Sequence, residues 1–268
     1  MDLDTHGPPP GFPRRIVATT CSNTEIVCAL GCADRLVGVD DHSDHPPEVV
    51  ARLPRVGPDL GVDAARIAAL EPDLVLASLS VPGHERVVEA LEEAGLPLHA
   101  PRTETLADVF RDIRQIGALL GVPGRAEALA KELEAALAPK PPPPRRPRVA
   151  VEWWPKPAIL PGRRSWATEL IERAGGIGVL GHEDHSSRPV SFEAYAALEP
   201  DLIVVSWCGI APDKLRPEVV LRRPELARAP AVRARRVVAI EEAFLGRPGP
   251  RLAEGYRRLC EAIAAAAA

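Results

Sequence analysis

The chain has 268 residues, of which 46% are hydrophobic and 26% charged, and its formal net charge is −4. This length and balance are typical of a folded protein with two compact domains and exclude an intrinsically disordered chain. The small negative charge provides no basic surface for phosphate groups, so nucleic acids are excluded as partners.

The first half of the chain alternates short apolar runs with helical patterns. Arg15–Thr20 predicts a strand, and Ser22 to Glu25 has the form of a capping box that starts a helix, which Gly31 ends. Further strands are predicted at 36–39 and 74–78, and further helices at 64–70 and 84–94. Strands that alternate with helices in this way predict an α/β lobe with a parallel sheet.

The middle and second half continue this pattern. Helices are predicted at 106–120, 125–138, 166–174, 192–198 and 251–264, a strand at 148–152, and an extended proline-rich connector at 140–147. Residues 176–181 match the G-x-G-x-x-G string of dinucleotide-binding sites. We reject that match because a helix, rather than a strand, precedes the glycines.

Seven residues, Ala-Ala-Leu-Glu-Pro-Asp-Leu, occur twice, at Ala68–Leu74 and Ala196–Leu202. Each copy predicts a helix end, a proline turn and a buried strand. The long separation excludes a solenoid of short repeats and predicts two similar lobes. The copies differ just after these strands, at Leu79–His84 and Trp207–Gly209, where we expect ligand specificity to arise.

The amino terminus lacks the cationic and apolar regions of a secretory signal, which predicts a cytoplasmic protein. No apolar stretch approaches the roughly 20 residues that span a bilayer, so membrane insertion is not expected. The five cysteines do not have the spacing of a disulfide framework. Buried structural thiols are favoured over metal ligation, although Cys28 and Cys32 share one helical face.

Six motifs follow one another in a specific order. They are Cys-Ser-Asn-Thr-Glu-Ile-Val at 21–27, Leu-Glu-Pro-Asp-Leu-Val-Leu-Ala at 70–77, Glu-Trp-Trp-Pro at 152–155, Ala-Gly-Gly at 174–176, Trp-Cys-Gly at 207–209 and Arg-Pro-Gly-Pro-Arg-Leu at 247–252. Together they resemble the class III periplasmic-binding-protein family of vitamin B12 and ferric-siderophore receptors, and its cobalamin-binding members in particular.

The resemblance implies an α/β fold with two Rossmann-like lobes, each with a parallel sheet, and a ligand cleft between them. The implied segments are an N-terminal lobe at 14–121, a bridging helix at 122–139, the connector at 140–147 and a C-terminal lobe at 148–268. Such a bridging helix makes opening stiff, so modest closure is the expected motion. This suits a binding protein better than an enzyme with a closing lid.

The resemblance also places ligand contacts in the loops that follow the strands. Those loops contain Cys21, Ser22, Asn23, His42, His45, Trp153, Trp154, His185, Trp207, Cys208 and Phe244. The three tryptophans among them are expected to form aromatic walls for a flat macrocycle. The implied function is non-catalytic binding of a metal chelate, cobalamin or another corrinoid, with no cofactor required. The alternatives are a haem, ferric-siderophore or bare transition-metal receptor, then a chelatase-like enzyme or a partner-binding protein that has lost its ligand.

His42 and His185 occupy equivalent positions in the two copies. A neutral imidazole at each is a candidate ligand for cobalt, iron or a bare metal ion, and a hydrogen-bonded role in a loop is the alternative. In the family that this chain resembles, one acidic residue on each lobe docks on an ABC permease. The equivalent positions here are Ala65 and Glu193, so one acid is missing unless Asp63 replaces it. Delivery to a permease is therefore less expected than an intracellular carrier, sensor or salvage role. The protein is expected to be a monomer.

Overall fold

A computed structural model describes residues 11–268. The cytoplasmic localisation is predicted from the first residues of the chain, and residues 1–10 lie outside the described range. Contacts divide the chain into two compact units. Unit 1 runs to Thr103 and includes Ala107–Glu132, and unit 2 consists of Glu104–Leu106 and Leu133–Ala268. The division falls within the segment predicted to bridge the lobes, whose role stays a prediction.

Unit 1 is built on a parallel sheet with the strand order β2-β1-β3-β4. The strands are β1 Ile16–Ala18, β2 Leu36–Val39, β3 Leu74–Leu76 and β4 Leu98–His99. The helices in this part of the chain are α1 Cys21–Ala29, α2 Pro47–Val50, α3 Ala64–Ala68, α4 His84–Glu93, α5 Leu106–Leu119 and α6 Pro123–Ala136. The strands β1 and β3 are buried along their whole length, as expected of a sheet covered by helices on both faces.

Unit 2 repeats this arrangement with the strand order β11-β10-β5-β8, again parallel, and adds an antiparallel sheet β6-β7-β9. Its strands are β5 Arg148–Glu152, β6 Trp154–Pro155, β7 Ala158–Pro161, β8 Ile177–Gly178, β9 Ser187–Val190, β10 Leu202–Val205 and β11 Val237–Ala239. Its helices are α7 Trp166–Arg173, α8 Phe192–Ala197, α9 Pro217–Leu221, α10 Pro230–Arg233, α11 Glu242–Leu245 and α12 Leu252–Ala267. The predicted α/β class with two similar parallel sheets is confirmed.

The repeated heptapeptide forms the corner between a helix and a strand in each unit. Its glutamate has a left-handed backbone conformation in both copies, with φ of 47° at Glu71 and 45° at Glu199. A residue in this conformation ends a helix and turns the chain away from the helix axis. The proline that follows cannot continue the helix, so the chain enters the strand directly.

The aspartate of each copy fixes this corner to the neighbouring strand. Asp73 accepts the backbone N–H of Arg15 at 2.8 Å, and Asp201 accepts that of Arg148 at 2.9 Å. Arg15 immediately precedes β1 and Arg148 is the first residue of β5, and both strands are inner strands of their sheets. The duplicated sequence therefore encodes the same structural joint twice.

The predicted capping box of Ser22 and Glu25 is wrong. Helix α1 begins at Cys21, two residues before the start that a Ser22 cap implies, after Thr20 in an extended conformation, and Ser22 lies inside the helix. Only two residues separate β1 from α1, so the strand fixes where the helix starts, and this tertiary constraint overrides the local capping signal. Gly31, with φ of 69°, follows the helix end as predicted.

Three further expectations are compared with the fold. Residues 176–181 lie after α7 and contain β8, so the strand-glycine-helix order of a dinucleotide site does not occur there. The five cysteines form no disulfide. Within residues 11–268, none of the helices has both the length and the apolar character that a bilayer crossing requires.

Candidate functional site

The candidate site residues collect at one edge of each parallel sheet. In unit 1 they follow β1 and β2, and in unit 2 they follow β5, β8, β10 and β11. Parallel strands present all their carboxyl ends at the same edge, and in open α/β sheets ligands bind in the loops beyond that edge. The topology therefore places the predicted residues of each unit in segments that follow the carboxyl ends of its parallel strands.

The three residues at the start of α1 differ in how accessible their side chains are to a ligand. Cys21 is partly exposed, and its Sγ lies 3.7 Å from Oδ2 of Asp40. Ser22 and Asn23 are buried, and the amide of Asn23 donates to the carbonyl of Ala77 at 2.8 Å. Asn23 thus ties α1 to the end of β3, so Cys21 is the member of this group that a ligand can reach.

Asp40 organises the loop after β2. Its side chain is fully buried and accepts hydrogen bonds from the backbone of His42, at 2.9 Å, and from the hydroxyl of Ser43. Arg55 donates to the carbonyl of Asp40 at 2.8 Å, and burial raises the pKa of the Asp40 carboxyl. These bonds fix the backbone of the loop, from which His42 and His45 present exposed side chains.

His84 is a residue that the sequence analysis placed in a specificity loop without a role. It is the first residue of α4 and only 3% exposed, and its Nε2 lies 3.6 Å from Oδ2 of Asp59. Contact with this imidazole holds the pKa of the Asp59 carboxyl below its ordinary value. Two exposed apolar side chains, Leu60 and Val81, stand close to this pair in sequence. No local pattern signals this contact, because Asp59 lies in a different segment of the chain from His84.

The tryptophans after β5 lie in two different environments. Trp154 is 41% exposed, whereas Trp153 is half-buried, as alternation along an extended chain requires. The backbone of Trp153 donates to Ile159 at 2.9 Å and accepts from Cys208 at 3.0 Å. Cys208 is exposed beside this segment. Trp154 is therefore the tryptophan of unit 2 whose indole is most exposed to solvent.

Trp207 does not form an exposed aromatic wall. It is 5% exposed and packs in the core of unit 2, where its indole N–H donates to Oε1 of Glu152 at 2.9 Å. Glu152 is fully buried and also accepts two hydrogen bonds from Arg223, at 2.7 and 2.8 Å. A buried indole N–H needs an acceptor, and the carboxylate at the end of β5 supplies it. This partner was not visible from the spacing of the residues in sequence.

His185 lies in the loop between β8 and β9 and is engaged within that loop. Its Nε2 is 2.9 Å from Oε2 of Glu183, whose carboxylate also accepts 2.6 and 2.7 Å hydrogen bonds from Arg188. The Arg188 guanidinium, and after it the imidazole, lower the pKa of Glu183 to about 2. This geometry matches the hydrogen-bonded loop role that was the alternative to metal ligation.

The Glu183 carboxylate makes loop stability depend on pH. Its pKa of about 2 in the folded chain lies below the ordinary value of about 4.3, so its contribution is present above pH 4.3 and is lost as pH falls toward 2. Glu183→Gln is expected to lower the free energy of unfolding by about 1 kcal/mol at pH 7 and by progressively less below pH 4.3. Urea unfolding at pH 7, 5 and 3.5 measures this, with the exposed Glu89→Gln as control. A Glu183→Gln deficit that is constant over these pH values would contradict the prediction.

The structure of residues 11–268 does not place His42 or His185 in a cluster of potential metal ligands. Within residues 11–268, no group of three or more His, Cys, Asp or Glu side chains is placed to hold a metal ion. His42 belongs to unit 1 and His185 to unit 2. Metal ligation by these two residues stays a prediction.

Phe244 follows β11 on α11 and is half-buried. The guanidinium carbons of Arg251 and Arg258 lie 4.5 and 4.3 Å from the centre of its ring. Two cation–π contacts occupy much of the ring surface that a ligand would otherwise use. The role of Phe244 in ligand binding stays a prediction.

The positions expected to dock on a permease are equivalent in the two units. Ala65 and Glu193 are each the second residue of a helix, α3 or α8, and both are exposed. The residue two positions earlier caps the helix, since Asp63 accepts the N–H of Arg66 at 3.0 Å and Ser191 caps α8 in the same way. Asp63 serves as a helix cap, and its replacement of a docking acid at position 65 stays a prediction.

Comparisons with known proteins agree on one family. The sequence model described as "Periplasmic binding protein" matches residues 16–243. A vitamin B12-binding protein of Vibrio parahaemolyticus is 28% identical over 92% of this chain and 88% of its own length. An uncharacterised ABC transporter substrate-binding lipoprotein of Bacillus subtilis is 29% identical over 94% of this chain and 80% of its own. The apo structure of a periplasmic heme-binding protein from Roseiflexus sp. RS-1 superimposes with a TM-score of 0.79 and 29% identity, covering 95% of this chain and 99% of the other.

These comparisons correct the expected localisation. The matching family consists of periplasmic binding proteins, and the similar proteins are described as periplasmic or as a substrate-binding lipoprotein. The cytoplasmic localisation predicted from the first residues is therefore wrong. The composition of a few terminal residues is a weaker guide than a fold and sequence match over most of the chain.

Proposed function

Because the chain belongs to the periplasmic-binding-protein family of ABC transporter systems, we propose that it binds a metal-containing tetrapyrrole, cobalamin or another corrinoid, without converting it. The single observation that carries this proposal is the exposed indole of Trp154 at the carboxyl edge of the unit 2 sheet. A relative that is 28% identical is named a vitamin B12-binding protein, which supports the same ligand class.

The chemistry of the edge loops suits a large, flat ligand. An indole provides a broad apolar face with little loss of side-chain freedom, and stacked rings add about 0.5–1.5 kcal/mol beyond the area they bury. In unit 1, Leu60 and Val81 expose apolar side chains, 54% and 41% of their surface, and Cys21 and His42 add accessible polar groups to the same unit. Apolar walls with a few polar groups are typical of small-molecule sites.

Haem is the second candidate, supported by the 29% identity to a heme-binding protein. A protein that binds haem through its iron supplies an axial ligand from His, Cys, Met or Tyr. Both tyrosines of this chain, Tyr195 and Tyr256, are buried, whereas His42 and His45 are exposed after β2. Haem binding would therefore depend on these imidazoles or on a thiol such as the exposed Cys208, none of which is needed by a cobalamin that brings its own axial ligands.

We further propose that the loaded protein delivers its ligand to an ABC permease as a monomer. Relatives described as ABC transporter substrate-binding proteins support this role. Glu193 is the acid available for docking in unit 2, and Ala65 leaves the equivalent place in unit 1 without one. Docking would then rest more heavily on unit 2.

The ligand class is tested by titrating the purified protein with cyanocobalamin, cobinamide and haemin. We expect a corrinoid at micromolar concentration to quench tryptophan fluorescence with a stoichiometry of one. Trp154→Ala is expected to weaken corrinoid binding by about tenfold, or 1.4 kcal/mol, because it removes the exposed indole face. Trp154→Phe keeps an aromatic ring and should retain most of the affinity.

The outcomes separate the two ligands. A Soret band that shifts with haemin and is lost in the double variant His42→Ala, His45→Ala would favour haem. A corrinoid affinity that the same double variant leaves unchanged would favour cobalamin. Absence of any absorbance or fluorescence change with all three compounds would overturn the proposed ligand class.

A further inference from the structure

One arginine of unit 2 contacts the chain on both sides of the tryptophan pair. The guanidinium of Arg223 donates to both carboxylate oxygens of Glu152, at 2.7 and 2.8 Å, and to the carbonyl of Pro155 at 3.0 Å. Glu152 is the residue before Trp153, and Pro155 is the residue after Trp154. The guanidinium of Arg223 therefore binds the main chain or side chain on both sides of the segment that carries the exposed indole of Trp154.

Further hydrogen bonds fix the Trp153–Trp154 segment. The backbone N–H of Trp153 donates to Ile159 at 2.9 Å, and its carbonyl accepts from Cys208 at 3.0 Å. The indole of Trp207 donates to the same Glu152 carboxylate at 2.9 Å. The orientation of the Trp153–Trp154 segment thus depends on the carboxylate that Arg223 holds.

Arg223 is itself held rigidly. It follows α9 and is 7% exposed, and its guanidinium lies 4.5 Å from the centre of the Phe192 ring. An arginine fork that binds a carboxylate through two parallel bonds fixes direction as well as distance, which a lysine ammonium does not. Stacking on Phe192 limits the remaining rotation of the guanidinium.

A buried ion pair is a weak source of stability, because the cost of removing two charges from water offsets their attraction. Apolar side chains of similar volume often replace such a pair at little cost, although here the indole N–H of Trp207 would also lose its acceptor. The stability of the core therefore does not by itself account for the Glu152–Arg223 pair. The directional bonds of Arg223 to Glu152 and Pro155 indicate a further use, which is to fix the main chain around Trp153 and Trp154.

We propose that Arg223 is a positioning residue for the ligand site, one that holds the Trp153–Trp154 segment in its binding geometry before the ligand arrives. This inference rests on the proposed function, since it assigns Trp154 to the ligand. Arg223 touches no ligand itself. A segment that is already ordered loses less freedom on binding, so loosening it is expected to weaken binding by about three- to tenfold.

The first test measures the tryptophans in the ligand-free protein. Labelling with 5-fluorotryptophan gives one ¹⁹F resonance for each of the four indoles, and Trp→Phe variants assign them. In Arg223→Lys, which keeps the charge but loses the fork, we expect the Trp153 and Trp154 resonances to shift or broaden while that of Trp166 does not change. Arg222→Lys, at the exposed neighbouring position, is the matched control and should reproduce the wild-type spectrum.

The second test separates positioning from folding stability. The double variant Glu152→Leu, Arg223→Met removes both charges and keeps apolar volume, so it is expected to melt at a higher temperature than the single variant Glu152→Leu. We expect its corrinoid affinity, measured with cyanocobalamin, to stay three- to tenfold below wild type all the same. Affinity that recovers together with the melting temperature would overturn the positioning role.

The two tests also distinguish this inference from the proposed function. If the wild-type protein binds none of the tetrapyrroles, the proposed function fails, and the ¹⁹F spectra still report whether Arg223 orders the segment. Spectra of Arg223→Lys that superimpose on wild type overturn the inference even when corrinoid binding is observed.

Discussion

Replacing Glu152 by leucine is expected to lower the free energy of unfolding by about 3–5 kcal/mol. The carboxylate is fully buried, and its loss leaves the Arg223 charge without its carboxylate and the Trp207 N–H without its acceptor. Domains of this size are stable by only about 5–15 kcal/mol, so a large fraction of the total is at stake. Urea unfolding monitored by circular dichroism measures the change.

The double variant makes this prediction specific to the buried charge. Adding Arg223→Met to Glu152→Leu removes the uncompensated guanidinium, and we expect it to restore about 2 kcal/mol despite being a second change in the core. Additive losses from the two substitutions would show that the pair does not act as a unit. Glu183→Gln breaks a partly exposed ion pair of the same unit and is expected to lower the free energy of unfolding by only about 1 kcal/mol, which provides a comparison with the buried pair.

The second large effect is expected at Gly255, where α12 packs against α11. A Cβ atom at this position would lie 1.8 Å from the carbonyl oxygen of Phe244 and 2.7 Å from its carbonyl carbon. Backbone atoms cannot move aside as a flexible side chain does, so Gly255→Ala displaces one of the two helices. We expect a loss at the upper end of the about 1–3 kcal/mol that overpacking costs.

A second glycine provides the control for Gly255. Gly124 lies in the first turn of α6, and a Cβ atom there would have nothing within 4 Å. Gly124→Ala is expected to be neutral or to stabilise the protein by up to about 1 kcal/mol, since alanine loses less freedom in a helix. Thermal unfolding of both variants checks the pair. Equal melting temperatures for the two would contradict the assignment of Gly255 as a close-packing position.

The sequence alone was sufficient for the α/β class, the duplication and the family. The apolar runs at β1, β3, β5 and β10 are local patterns, and the repeated heptapeptide is visible without any structure. Its structural role was not visible. The bonds from Asp73 and Asp201 reach residues more than 50 positions away in the chain, and spacing in sequence does not report such contacts.

The candidate site was predicted less well than the fold. The resemblance placed the candidate residues in loops that follow the strands, but the state of each side chain depended on partners from distant segments. Trp207 was expected to be an exposed wall and is buried, because Glu152 accepts its N–H. His84 received no role, although it is buried against Asp59.

The sequence by itself therefore determined the periodicity of strands and helices, the two copies and the family, because these depend on neighbouring residues and on motif order. Only the tertiary structure decided which polar groups are already engaged and which side chains remain exposed. Arg223 illustrates the difference, since its carboxylate partner lies 71 residues away in the chain. Burial and hydrogen bonding are properties of segments brought together by folding, and they decide that Trp154 rather than Trp207 is open to a ligand.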